Sequence, residues 1–346
     1  MRRIACLLAF TVFSMVWPLS SPAHHSFATH YDPTRSMDLR GTVVDFDYRS
    51  PHSFLYLETD DGSGGSINWE IEMASIPLLR RFDIDADTFR PGDEVAVSVW
   101  PNRVENNPLV WGQGFIAADG RALGEFPPTP EVDSEYLSAS GVARLQGRWR
   151  IPVPVIDTFE SPLPLTEAGL AAVRDYDPAQ SPANFCEPNT VPATYHSPYQ
   201  VGIVIEDGQA TIHHEMYSVT RRISLDANPS QAEATGTFGV ATARIDGDEL
   251  VIESSGFPAS GWGLGTASDE LGIGTDIPSS DQKSLVERFS VSEDGQTLTI
   301  DYILDDPVYL TQAYSGVATL DRVADDEPLY PYECEVDSAQ RFSRDP

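Results

Sequence analysis

Three histidines open the chemistry of this sequence. His24 and His25 stand side by side behind an apolar leader, and His52 follows Pro51 in the first turn of a β-rich stretch. Arg2 and Arg3 give the leader a basic start, and Ile4 to Trp17 is apolar but too short to span a bilayer. Ser21-Pro22-Ala23 places small residues where signal peptidase reads, which predicts a signal peptide over 1–23 and a mature chain starting at His24. Cys6 lies inside the apolar stretch rather than at its end, so no lipid anchor is expected there. The free α-amino group and two imidazoles of such a start are nitrogen donors suited to copper, or to zinc. The other reading of the pair is a solvated chain end. Cleavage after Ala28 in Ser26-Phe27-Ala28 would remove both histidines.

His52 is the expected third imidazole, with the histidine end folded across the mouth of a first barrel. His30 is a weaker donor, and Asp32 is expected as an oxygen ligand or as the partner that holds a ring. Because amine and imidazoles bind metal only when deprotonated, affinity should fall with pH. A second set is expected further on, where His214, Arg222 and Trp262 would contact a ligand. His213-His214 lies in a strand-like run, so its rings point to opposite faces. Arg221-Arg222 should likewise send one arginine inward, towards Glu287 or Glu253, and one outward.

The elements that must position these residues are strands. Met37–Tyr48, Ser53–Thr59, Ile67–Met73, Glu94–Trp100 and Val110–Ala117 alternate as strands, with a short helix over Ser75–Phe82 capped by Ser75 and started by Pro77. Three strands, a helix and two strands are the order of a small OB-like barrel, here 24–123. Residues 124–140, with Phe126-Pro127-Pro128-Thr129-Pro130, read as a linker. From 141 to 340 nine further strands are expected, beginning with Val142–Ile151 and ending with Ser315–Val323. Thr166–Tyr176 is the expected helix, Gly256–Gly274 a loop over the mouth, and 341–346 a tail. So many sequential antiparallel strands predict a calyx-like barrel or curled sheet, and an all-β protein overall.

Several short motifs carry resemblances. His24-His25-Ser26-Phe27, Tyr31-Asp32, Gly41-Thr42-Val43, Ser50-Pro51-His52, Asn68-Trp69 and Pro91-Gly92-Asp93-Glu94-Val95 resemble a secreted bacterial family of unknown function. Its members begin with His-His-Ser after the signal peptide and carry a later Asn-Pro-His. Cys186-Glu187-Pro188, Arg221-Arg222-Ile223, Asp248 to Ile252, Val286-Glu287-Arg288-Phe289 and Asp306-Pro307 resemble an uncharacterised module often attached to that family. Where the module has Pro-His-Ser, this chain has Pro278-Ser279-Ser280, so no role of that histidine carries over. Gly147-Arg148-Trp149 and Arg322 resemble the strand tryptophan and late arginine of lipocalins. Neither the family of unknown function nor the attached module implies an activity.

Composition bounds the rest. A formal net charge of −31 repels nucleic acid and anionic head groups, so neither is an expected partner. Loss of Arg2 and Arg3 makes the mature chain more acidic still. Cys186 and Cys334 are the cysteines left after cleavage, and an oxidising compartment predicts a disulfide between them. No second apolar stretch approaches membrane length. Gly-x-Ser-x-Gly, His-Glu-x-x-His and a phosphate loop are all missing from the sequence, and Ser280 to Lys283 fits Ser-x-x-Lys by letters alone. The expectation is an exported binding protein with a small apolar ligand or an envelope protein as partner. An enzyme with its site in the second cavity and a structural envelope module are the alternatives.

Overall fold

In the computed structural model, residues 30–124, 132, 134–152, 162–225, 236–267 and 275–341 are described. The first unit is a closed barrel of β1 (Met37–Asp47), β2 (Ser53–Asp60), β3 (Ser66–Met73), β4 (Glu94–Trp100) and β5 (Leu109–Ile116). A long first strand makes closure possible. Its first half pairs β4 and its second half pairs β2, with a bulge between Val43 and Asp45 where it curls. A Cβ at Gly41 would stand 2.1 Å from the carbonyl oxygen of Glu58, so only glycine lets the strands approach there. Parallel pairing of Glu70–Glu72 with Leu109–Trp111 closes the ring in the OB order. A two-residue strand, β6 (Ala122–Leu123), extends the sheet from β5.

Alternation explains the interior of this barrel. Leu55 and Leu57 of β2, Val95, Val97 and Val99 of β4, and Ile71 of β3 all point into one core. Helix α1 (Ile76–Arg81) follows β3 and contributes Leu79 to that core. Pro77 sits in its first turn as expected, but the Ser75 side chain makes no capping hydrogen bond. Its hydroxyl instead lies 2.8 Å from that of Tyr199 in the second unit.

The second unit is one nine-stranded antiparallel sheet curled into a nearly closed barrel. Its strands are β7 (Gly147–Arg150), β8 (Val201–Glu206), β9 (Gln209–His214), β10 (Val219–Ser224), β11 (Val240–Asp246), β12 (Glu249–Ser255), β15 (Ser284–Val291), β16 (Thr297–Asp305) and β17 (Tyr314–Val323). They run in the order β10-β9-β8-β7-β17-β16-β15-β12-β11. A separate hairpin, β13 (Ser260–Ala267) with β14 (Thr275–Ser279), is inserted between β12 and β15. The first and last strands are joined as Arg322 is paired with Trp149. The Arg322 guanidinium lies 4.0 Å over the Trp149 ring and donates to the carbonyls of Gly295, Gln146 and Arg144.

Three sequence expectations need correction. Val142–Ile151 is not one strand: a 3-10 turn over Gly141–Leu145 precedes β7, and the Trp149 indole donates back to Leu145. The run from Gly236 begins as a 3-10 turn, and β11 starts only at Val240. Within the stretch expected as a mouth loop, Ser260–Ala267 is β13, which holds Trp262 in a strand, and 268–274 lie outside the described residues. Helix α2 (Glu167–Arg174) forms as expected, with Thr166 Oγ1 accepting from the Gly169 amide.

The two units share a buried polar seam. Arg81 of α1 makes two bonds to Glu215, at 2.8 and 2.6 Å, and a third to Glu327. Glu327 also accepts from Arg150 and Gln200, so every strong charge in the seam has a partner. Beyond β17 the chain returns to the first barrel, where Cys334 pairs with Ser50 as an isolated bridge. Cys334 is disulfide-bonded to Cys186, with Cα atoms 5.8 Å apart, as the cysteine count predicted.

Candidate metal site

The site is built where the chain enters the first barrel. Tyr31 forms an isolated bridge with Asn102, the Arg103 amide donates to His30, and the Asp32 amide donates to Pro101. These bonds fix the entering chain beside the end of β4. Tyr31 is fully buried, and its hydroxyl donates to Glu72 Oε2. Glu72 is a carboxylate in the run Ile71-Glu72-Met73, where β3 closes on β5 opposite Trp111. Burial first, and then the neighbouring Glu72 charge, push the Tyr31 phenol far above its ordinary range, so it remains a donor.

The other Glu72 oxygen faces His52. His52 Nδ1 lies 2.7 Å from Glu72 Oε1, with His52 about a quarter exposed and Glu72 buried. A carboxylate behind one ring nitrogen orients an imidazole. The order Tyr31–Glu72–His52 therefore runs from the core outwards and ends on an imidazole at the surface. Register explains the meeting: Phe54 of β2 is opposite Glu72 of β3, so the residue two before Phe54 lies beside the same carboxylate. Glu72 is the residue of this cluster that sequence reasoning passed over. The available signal was an acid between two apolar residues near a strand end, where alternation alone would put it outside.

Asp32 does not hold a ring. Its Oδ1 accepts from the Thr34 amide and hydroxyl, at 3.1 and 2.6 Å, and these bonds hold the exposed carboxyl below its usual range. His24 and His25 lie outside the described residues. Among the described residues no three His, Cys, Asp or Glu side chains gather as a metal ion requires. His30 sits next to Tyr31, with ring centroids 6.0 Å apart.

In the second barrel the inward arginine is Arg221, and Arg222, expected to contact a ligand, is the exposed one. The period-2 rule allowed either face, and β10 register decides it: Arg221 is opposite Ile212 of the interior. Arg221 makes a two-pronged pair with Glu287, at 3.0 and 2.7 Å, and also donates to Tyr195 and Ser254. His214 points inward as expected, between Tyr195 and Phe238, while His213 bonds Thr220 on the other face. Among the described residues neither His214 ring nitrogen has a hydrogen-bond partner, and burial pushes the imidazole well below its usual range. Trp262 is buried on β13 against Tyr217.

Lys283 is the single lysine of the chain. It is buried, donates to the carbonyls of Val191 and Gly263, and lies 4.6 Å over the Phe257 ring. Burial pushes its ammonium down to about 7. The interior thus holds Trp149, Tyr195, Phe238, Phe289 and an ion pair.

Comparison with known proteins covers the first barrel as far as the start of β5. No curated protein matches the chain. Residues 14–109, which span the entering chain and all of β1 to β4, match a family of unknown function, DUF6152.

Proposed function

We propose that this protein is exported and holds one transition-metal ion, copper or zinc, at its mature N-terminus. His24, His25 and the α-amino group would supply nitrogens, and His52 the third imidazole. The observation that carries this reading is Glu72 behind His52 Nδ1, the support that metal-binding imidazoles use. With Nδ1 facing the carboxylate, Nε2 is the nitrogen a metal would take. Chain length supports it as well. Six residue steps separate His24 from His30, a reach of roughly 20 Å at full extension. His30 is anchored beside Tyr31, whose hydroxyl contacts the same carboxylate that faces His52.

The second barrel enters as scaffold. Its interior is packed with aromatic side chains and the Arg221–Glu287 pair, which favours a supporting role over an enzyme cavity. A small apolar ligand or an envelope protein at its surface remains part of the proposal as a partner class.

Lys283 makes the test selective. Because the chain's one lysine is buried, a mild acylating reagent should modify the terminal amine of the mature protein. Copper(II) titration of the mature protein should show tight 1:1 binding, lost in His24→Ala and after acylation, and weakened about 10–100-fold in His52→Ala or Glu72→Gln. Equal binding by all of these proteins, or a natural N-terminus at Thr29, would overturn the reading.

A further inference from the structure

We infer that the C-terminal segment Glu335–Arg341, clamped by the Cys186–Cys334 disulfide, is a positioning strap for the His52–Glu72 site. The inference rests on the metal reading for its function but on separate contacts for its geometry. The strap leaves the disulfide at once against the turn that carries His52. Cys334 bridges Ser50, and the Glu335 amide donates to the Ser50 carbonyl at 2.8 Å. Two residues further on in the turn, the Ser338 hydroxyl donates to the carbonyl of His52 itself, also at 2.8 Å. The backbone that presents the imidazole is therefore bonded on both sides of Pro51 to the far end of the chain.

Arg341 completes the strap on the neighbouring strands. Its guanidinium lies 3.9 Å from the centre of the Phe54 ring and donates to Tyr56 at 2.6 Å and Glu70 at 2.7 Å. Phe54 is opposite Glu72 in the sheet, and Tyr56 is opposite Glu70. Arg341 thus ties β2 to β3 across the pair of positions that set the distance from His52 to Glu72. It also lies near enough to Tyr31 for its charge to be felt there. These residues come from the last turn of the second unit, so the second barrel and its disulfide would act on a site built wholly on the first. Ser338 bonds the His52 backbone and Arg341 bonds the strands beside it, so they would act through the backbone and the sheet.

Disulfide removal tests this without touching the barrel cores. In the Cys186→Ser/Cys334→Ser protein, copper(II) affinity should fall about 10-fold and the visible ligand-field band should shift, because the imidazole is presented differently. Ser338→Ala with Arg341→Gln should give the same two changes, and Ser338→Thr with Arg341→Lys should largely restore the wild-type spectrum. Amide exchange in residues 52–56 should rise in the same variants, a readout that needs no metal. Unchanged exchange there, or an unchanged band and affinity in proteins that remain folded, overturns the strap. If the double serine protein does not fold, the Ser338/Arg341 pair decides alone. Wild-type protein that binds no copper ends the metal reading, and the exchange experiment still decides whether the strap holds the turn.

Discussion

His214 shows what single residues cost and gain in this fold. It is buried between Tyr195 and Phe238 with both ring nitrogens unpartnered among the described residues, a state that costs on the order of 1–3 kcal/mol. Its folded pKa lies well below the ordinary value near 6.5, so below that pH the unfolded chain takes a proton that the native chain refuses. Stability from this group is therefore present above the unfolded value and is lost as pH falls through it. His214→Phe keeps a ring in the stack and removes the proton site. Urea unfolding should find the variant about 1–2 kcal/mol more stable at pH 7, with a larger advantage at pH 5; a constant difference across that range would contradict the account. Arg221 and Arg222 give a paired prediction. Arg221→Met leaves Glu287 buried and uncompensated and should cost about 3–5 kcal/mol, while Arg222→Ala at an exposed position should change stability by less than about 0.5 kcal/mol. At this scale the sequence was half legible. It showed that one of the two arginines must enter the core, but only strand register could say which. His52 was readable from its turn, and Glu72 was not, because a buried acid beside a histidine is visible only once two strands are aligned.

Elements were more legible than residues, for a physical reason. The alternation in Val95, Val97 and Val99 or in Leu298, Ile300, Tyr302 and Leu304 reports which side of a sheet is dry, and those strands appear where expected. The failures fall at the ends. Gly141–Leu145 and Gly236–Phe238 carry apolar residues into short 3-10 turns that cap the sheet, and apolar content alone reads as strand. The return of residues 332–341 to the first barrel was not readable, since Arg341 looked like part of a tail. The seam and the disulfide test this level. Arg81→Ala strands Glu215 without its two-pronged partner and should cost about 3–5 kcal/mol. The disulfide closes a sequence separation of 148 residues, and its removal should cost about 2–5 kcal/mol in thermal or urea unfolding. A protein indifferent to both changes would mean that the two barrels do not stabilise one another.

The whole molecule carries 53 acidic against 22 basic side chains, and most of that excess must lie on the surface because Arg221, Arg81 and Arg322 are spent inside. Self-repulsion of this kind is screened by salt, so the melting temperature should rise from low to moderate ionic strength. The first barrel has the OB order, and OB barrels hold single strands through a positive groove. Here charge opposes that use, and fluorescence anisotropy with labelled single-stranded DNA should show no micromolar binding at physiological salt. Fold alone would have pointed to nucleic acid, which is why the reading rests on His52, Glu72 and the histidine start instead. That reading is tested most directly by the intact mass of the protein recovered from the cells that make it, taken under native and under denaturing conditions. The account predicts a chain beginning at His24 that carries the excess mass of one transition-metal ion in the native spectrum and loses it on denaturation. A chain beginning at Thr29, or a native mass equal to the denatured mass after exposure to copper, would contradict it.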